Sequence, residues 1–413
     1  MPATFDLQAI MQAVPSASSK TPADMDPPSF IRMLPSEVLS EIFDIFSSDL
    51  AVLEDPLAAP MMLSHVSHFW REVVIDSLPT HWCTLNIRHV RHPEVLLDIL
   101  GRSKNRTPDV NVYMPQTDPE PYPEDPNFIA VFSGIAAHAS RVRRLSIVAR
   151  NPTIHRIMRY IDRAPFSALE NLELVQDGPD PTRFHFYGCF VVNPEVFSAL
   201  RLVHTAAHFE DASNLGGVRT LDLDHSSGAL LDQRAIRSIG YPNTPLTPCM
   251  TKLTQLTIIA TRLLKLPTPF VPSFTSSDLR SLKLADVPAT STPDVRDEVI
   301  KLFSYTYTPD LQELSLERVH VSAFLLFMQM LDPKNPRFPA VTSLTLAEVH
   351  LDYINTMFMR AFPALKALSL IKIDPTPITR LLPDPLLWPV LSRITVDGCD
   401  VSRPSPILMI TAP

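Results

Sequence analysis

The chain has 413 residues, of which 45% are apolar, and its 36 Lys and Arg against 44 Asp and Glu give a net charge of −8. This length and apolar content exclude wholesale disorder and allow roughly two to four domains, or one small domain and a repeat array. A mildly acidic chain is a poor nucleic-acid binder, and no apolar run of about 18 residues predicts a membrane-spanning helix.

The cysteines and glycines narrow the classes of protein further. Cys83, Cys189, Cys249 and Cys399 lie far apart, which argues against a zinc ribbon and against a disulfide framework. The first residues carry no basic segment followed by an apolar run, so no secretory signal is expected and reduced thiols in the cytosol or nucleus are predicted. With 42 Pro and only 9 Gly, glycine-dependent phosphate loops are nearly excluded.

The N-terminal part predicts a tail and then a small helical domain. Residues 1–28 are rich in Pro, Ser and Ala and predict a flexible tail. Residues 29–82 contain two helical patterns. The first has Pro35 and Glu37 at its start and one apolar face, and the second covers residues 61–77. The apolar face of the first pattern consists of Val38, Leu39, Ile42, Phe43 and Phe46.

Residues 83–413 predict a repeat array. The pattern apolar-x-x-apolar-x-apolar occurs ten times, with a mean period of roughly 28 residues, which lies within the range of leucine-rich repeats. Its central residues are Leu145, Leu172, Leu200, Leu221, Leu256, Leu282, Leu314, Leu344, Leu368 and Ile394. Two further strands, around Leu85 and Val110, are expected ahead of these ten. Helical patterns separate several strands, as at Ile154–Ile161, Val299–Phe303 and Phe324–Met328.

We therefore predict an α/β chain in which a small all-helical domain precedes an irregular leucine-rich-repeat-like solenoid with a stacked parallel sheet. The pattern lacks the Asn or Cys whose side chain bonds the backbone in regular leucine-rich repeats. An ordinary doubly wound α/β sheet is the alternative.

Three segments of residues 29–82 carry a family resemblance. Residues 34–43 read LPSEVLSEIF, which resembles the opening of an F-box, L-P-x-E-(I/V)-(L/W)-x-x-I-(F/L). Residues 63–71 read LSHVSHFWR, which resembles its second half, with Ser67 at the usual Cys and His68 at the usual basic position. Residues 78–82, LPTHW, resemble the exit of fungal F-box proteins into their first repeat strand. Residues 29–82 are thus similar to an F-box, and the remaining residues resemble the family only in their repeats.

The resemblance implies a substrate-recognition adaptor of a Skp–cullin–F-box ubiquitin ligase. In that family the F-box docks on the Skp subunit, which connects it to a cullin, and the repeats bind a protein target. The residues that the resemblance places against the Skp subunit are Leu34, Pro35, Val38, Leu39, Ile42, Phe43, Leu63, Val66 and Trp70. Such a surface would use apolar anchors of a helix in a groove.

Strand residues between the apolar positions predict a second binding face, because they project away from the core. The candidates for contact with a protein target are Glu173, Arg201, Asp222, Asp224 and Lys283. No motif of a nucleotide-binding loop, a hydrolase or a zinc protease occurs, so an enzyme, a cofactor and a metal are not predicted. His204 and His208 have the spacing of two ligands on a helix but lack a third ligand nearby.

A second functional hypothesis stays open at this point. The chain could be a leucine-rich-repeat scaffold for protein interactions that acts outside ubiquitin ligation. Neither hypothesis includes nucleic acid or membrane as a partner, and both place the protein in the cytoplasm, the nucleus or both.

Overall fold

The structure is a computed structural model of the chain. It describes residues 34–50, 57–114, 125–177, 189–203, 208–209, 215–224, 252–259, 278–287, 289, 296, 300, 309–331, 338–382 and 387–398. The chain divides into two compact units, residues 1–78 and 79–413. The tail predicted for residues 1–28 lies outside the described residues.

The described part of the first unit consists of three helices, α1 (Ser36–Leu50), α2 (Ala58–Val66) and α3 (His68–Ser77). The prediction of one helix over residues 61–77 is wrong, because this stretch is broken at Ser67. The backbone of Ser67 is extended, and its hydroxyl accepts a hydrogen bond from the Trp70 backbone N–H at 3.2 Å. This is an N-cap, which satisfies a free backbone donor in the first turn of α3.

The second unit is dominated by parallel strands. In chain order they are β1 (Thr84–Ile87), β2 (Asp109–Met114), β3 (Arg144–Ala149), β4 (Pro165–Phe166), β5 (Asn171–Gln176), β6 (Cys189–Val192), β7 (Ala199–Val203), β8 (His208–Phe209), β9 (Thr220–Asp224), β10 (Gln255–Ile259), β11 (Ser281–Ala285), β12 (Glu313–Glu317), β13 (Ser343–Ala347), β14 (Ala367–Ile371) and β15 (Arg393–Asp397). Twelve of them form one sheet, and β4, β6 and β8 form a small separate sheet.

The twelve strands of the long sheet follow the order of the chain from β1 to β15. All ten strands predicted from the repeat pattern are present in this sheet, and so are the two strands expected ahead of them. A doubly wound sheet requires a reversal of strand order, which the described strands do not have. The chain is therefore a mixed α/β protein with a long, sequentially ordered parallel sheet, as a solenoid requires.

Six α-helices of the second unit have both ends described. They are α4 (Pro93–Arg102), α5 (Pro126–Ala137), α6 (Asn151–Ile161), α7 (Val321–Gln329), α8 (Thr356–Arg360) and α9 (Thr376–Leu381). Four of them, α4, α5, α6 and α9, have Pro in the first two helical positions, where its missing N–H leaves no hydrogen bond unmade. The predicted helices at Ile154–Ile161 and Phe324–Met328 are confirmed, whereas most of the one at Val299–Phe303 lies outside the described residues.

The core of the long sheet is a row of leucines in register. Leu145 on β3 is opposite Leu172 on β5, which is opposite Leu200 on β7, and the row continues to Ile394 on β15. The ten central residues of the repeat pattern are only 0–3% exposed. Because each strand alternates its side chains between two faces, this row fixes which strand residues face away from the core.

A row of backbone carbonyls connects the repeats just ahead of their strands. The carbonyl oxygen of Arg143 accepts hydrogen bonds from the backbone N–H groups of Glu170 and Asn171, at 2.8 and 3.2 Å. The same double acceptance recurs at Glu170, Ser198, Arg219, Thr254, Arg280, Gln312, Thr342 and Lys366. At four repeats a hydroxyl adds a third hydrogen bond, from Ser198, Thr254, Thr342 and Ser392. This row joins neighbouring repeats without the Asn or Cys side chains of regular leucine-rich repeats.

A row of four charged residues lies immediately after strands β11 to β14, one residue after each strand. Asp286, Arg318, Glu348 and Lys372 follow these strands, and each has a positive φ of 48–53°. Their charges alternate along the sheet. Arg318 donates two hydrogen bonds to the Asp286 carboxylate at 2.5 and 2.8 Å, and Lys372 donates one to Glu348 at 3.0 Å. Ion pairs of neighbouring repeats therefore accompany a left-handed backbone conformation that non-glycine residues seldom adopt.

Candidate functional site

Helix α1 presents apolar side chains on two sides. Leu39 and Phe43 are buried. Val38, Ile42, Ile45 and Phe46, which are spaced as one helical face, are exposed, and Ile45 is 65% exposed. We call these four residues the apolar stripe. The sequence analysis placed Val38 and Ile42 in the partner set but did not include Ile45 or Phe46 in it.

Helix α2 repeats this arrangement on a smaller scale. Leu63 is buried, whereas Met62 and Val66, one helical turn apart, are exposed, and Val66 is 59% exposed. The carbonyl oxygen of Ser64 accepts a hydrogen bond from Arg71 Nε at 2.9 Å, which ties the end of α2 to α3. The exposed pair therefore lies on a helix whose position is fixed.

Trp70 has an intramolecular contact. Its ring centroid lies 4.8 Å from that of Phe43, with an angle of 55° between the ring planes, and its side chain is half-buried. Aromatic pairs in this geometry stabilise the fold beyond the area they bury. Trp70 is thus part of the packing between α1 and α3.

The nine residues of the predicted Skp-binding set divide by exposure. Pro35, Val38, Ile42 and Val66 are exposed, and Leu34 and Trp70 are half-buried. Leu39, Phe43 and Leu63 are buried in the chain itself. For these three residues the structure provides a role in the core, and their contact with a partner stays a prediction.

The predicted target face is centred on Glu173. Its carboxylate accepts a hydrogen bond from the Ser146 hydroxyl at 2.8 Å and forms ion pairs with Arg201 and, at 3.4 Å, with Arg144. Burial raises the pKa of Glu173, but the hydrogen bond from Ser146 and the charges of Arg201 and Arg144 outweigh it, so the pKa lies below its ordinary value. The carboxylate is therefore ionised and held by three strands.

The other candidates of this face are less closely grouped. Asp222 is opposite Arg201 in the strand register. Lys283 forms an ion pair with Glu317 at 2.7 Å, two strands beyond Asp222. The side chain of Asp224 lies outside the described residues, and so do His204 and the side chain of His208. The structure thus brings together Glu173, Arg201 and Asp222, and it places Lys283 apart from them.

The described part of the chain shows neither a metal centre nor a membrane-spanning helix. No group of three or more His, Cys, Asp or Glu side chains there could hold a metal ion. No described helix has the length and apolar character that crossing a membrane demands.

Comparison with known proteins gives little similarity. No family model matches the chain, and no curated protein matches it. A solved structure with some similarity is the crystal structure of the Rad7 and Elc1 complex in yeast, of which one chain is 14% identical, with 98% of each chain covered and a TM-score of 0.28. A TM-score this low carries no argument about fold or function.

Proposed function

We propose that the protein is a non-catalytic substrate-recognition adaptor of a Skp–cullin–F-box ubiquitin ligase. In this proposal helices α1 and α2 dock on the Skp subunit, which brings a cullin, and the long sheet binds a protein target. The protein acts in the cytosol or nucleus and needs no cofactor. The observation that supports the docking role is the apolar stripe on α1, four exposed apolar residues on a helix that Leu39 and Phe43 anchor in the core.

The stripe has the form of a helix that binds a groove. Val38, Ile42 and Ile45 recur at the spacing of anchors on one helical face. Burying an apolar side chain completely contributes about 1.5–3 kcal/mol, and half-exposed residues gain about half of this, so four residues contribute on the order of 4 kcal/mol. A micromolar complex requires about 8 kcal/mol, so Leu34, Pro35, Met62 and Val66 are also expected to contribute.

The proposed role requires no chemistry from the chain itself. Because an adaptor binds two proteins at once, it needs two separate binding surfaces. The apolar stripe belongs to the first compact unit and the strand face around Glu173 belongs to the second. A division of labour between residues 29–82 and residues 83–413 is part of the proposal.

Co-elution of the purified chain with a recombinant Skp subunit in size-exclusion chromatography tests the docking role. We expect a complex with the natural chain, and we expect its loss in the double variant Val38→Glu with Ile42→Glu, since two buried charges would face the groove. The double variant Leu34→Ala with Pro35→Ala is expected to weaken the complex as well.

The matched control is Val390→Glu, which changes an apolar residue of similar exposure, 47%, in the second unit. It should co-elute like the natural chain. Circular dichroism of all variants shows whether they are folded. Co-elution that survives both double variants would contradict the assigned surface, and no co-elution with the natural chain would favour the scaffold hypothesis.

A further inference from the structure

The surface that carries this inference lies at the carboxyl ends of strands β1, β2, β3 and β5, on the side away from the leucine row. Tyr113 on β2 is opposite Val148 on β3, which is opposite Val175 on β5, which is opposite Val203 on β7. The tyrosine is 49% exposed, Val148 and Val175 are half-buried, and Val203 is buried. We call Tyr113, Val148 and Val175 the Tyr113 row.

A basic segment, residues 88–91, follows β1, the strand next to that of Tyr113. Arg88 directly follows Ile87, and Ile87 is paired with Val112, the residue before Tyr113. Arg88, His89 and Arg91 are exposed, and within the described part of the chain Arg88 and Arg91 make no ion pair. In contrast, His92 lies 3.3 Å from the Glu94 carboxylate. Within the described residues, two exposed arginines without an ion pair therefore follow β1, the strand next to that of Tyr113, in a chain of net charge −8.

The described residues next to this row add polar groups. Asn111 donates a hydrogen bond to Asn86 at 2.9 Å, and Glu173 is paired with Arg144 and Arg201. Arg144 lies two residues before the register position of Glu173, and when it is counted with Arg201, Glu173 and Asp222 the four charges cancel. Among the described residues, the surplus positive charge therefore comes from Arg88 and Arg91, which follow β1.

We propose that this face binds an extended acidic protein segment that carries an aromatic or aliphatic residue. Acidic residues pair with Arg88 and Arg91, and the apolar side chain lies over Tyr113 and the valines. Tyr and Arg are the residue types most enriched at the centres of protein interfaces. The inference rests on the target-binding half of the proposed function, and it does not depend on the Skp subunit.

The dimensions of the row fit a short segment. Strands in a sheet are about 4.8 Å apart, so three spacings from Arg88 to Val175 span about 14 Å, which an extended chain covers with about four residues. Nucleic acid is the less favoured occupant, because it carries a charge at every phosphate and some of these would face the carboxylates of Glu173 and Asp222, whereas a protein segment can place its uncharged residues there.

The test uses the full chain and three labelled polymers in fluorescence polarisation: a random copolymer of glutamate and tyrosine, polyglutamate and polyuridylate. We expect the copolymer to bind most tightly and its affinity to fall as salt is added. The double variant Arg88→Glu with Arg91→Glu should weaken binding about tenfold or more, because attraction becomes repulsion. Tyr113→Ala should weaken it several-fold.

Matched controls separate this face from general effects. Arg393→Glu changes an exposed arginine on the last strand, and Tyr353→Ala changes a tyrosine of similar exposure, 45%. Both should bind the copolymer like the natural chain. So should the variant Val38→Glu with Ile42→Glu, which isolates failure of this inference from failure of Skp docking.

Three results would overturn the inference. They are the absence of copolymer binding, equal losses in the control variants, and tighter binding of polyuridylate than of the copolymer. The last result would identify the face as a nucleic-acid surface.

Discussion

The carboxylate of Glu173 illustrates how single residues of the strand face interact. It is only 16% exposed, yet it is ionised because Ser146, Arg201 and Arg144 surround it. A carboxyl whose pKa is lowered by folding stabilises the folded state at every pH above its unfolded pKa, here the ordinary value of 4.5. That contribution is lost as the pH falls through the lower pKa of the folded state.

The pH dependence of Glu173→Gln follows from this sign. At pH 7 the variant should be less stable than the natural chain by about 1–2 kcal/mol, because charge-assisted hydrogen bonds are lost. At pH 3, below the ordinary pKa of 4.5, the difference should shrink, since the unfolded state then binds a proton at this carboxyl. Urea unfolding at both values measures it, with Glu313→Gln, an exposed carboxylate on β12, as control. A difference that grows on acidification would contradict the lowered pKa.

Helix α1 shows what periodicity in the sequence can and cannot establish at the scale of an element. The spacing of its apolar residues predicted a helix, and that is confirmed. Exposed and buried apolar residues are neighbours in α1, however, as Val38 and Leu39 are, so the pattern alone could not tell which residues pack inward. The break at Ser67 was likewise missed, because the apolar spacing continues across it while the serine caps a new helix.

Two substitutions in α1 should therefore differ sharply in their effect on stability. Phe43→Ala removes a fully buried ring that contacts Trp70, and it should lower the free energy of unfolding by about 3–5 kcal/mol. Ile45→Ala, on the apolar stripe, should change it by no more than about 0.5 kcal/mol.

Urea unfolding of each full-length variant, followed by circular dichroism, measures the free energy of unfolding. A large decrease in the free energy of unfolding from Ile45→Ala would show that the apolar stripe is part of the core rather than an exposed surface. Skp binding should respond in the opposite sense, being weakened by Ile45→Ala in a chain that remains folded.

At the scale of the molecule, the strand spacing of the sequence predicted the long sheet closely. Alternation of apolar residues determines which face of a strand is buried, so the ten core positions could be predicted from the sequence. The carbonyl row ahead of the strands could not, because backbone hydrogen bonds leave no residue signature beyond a few Ser and Thr. The Tyr113 row was missed for a related reason. Its members are separated by 27–35 positions in sequence and meet only through the strand register.

At the scale of the whole molecule, we propose that the chain joins a ubiquitin ligase to a protein target through two surfaces. The first unit contributes the apolar stripe, and the second contributes the strand face with Glu173 and the Tyr113 row. Each surface can be altered alone, since the variants Val38→Glu with Ile42→Glu and Arg88→Glu with Arg91→Glu change exposed side chains in different units.

Affinity purification of the full chain from its own cells, read by mass spectrometry, tests this claim most directly. With the natural chain and with Val390→Glu we predict recovery of a Skp subunit and a cullin together with other bound proteins. With Val38→Glu and Ile42→Glu combined, the Skp subunit and the cullin should disappear while the other proteins remain. Recovery of those other proteins from the natural chain without a Skp subunit or a cullin would contradict the adaptor and support a scaffold outside ubiquitin ligation.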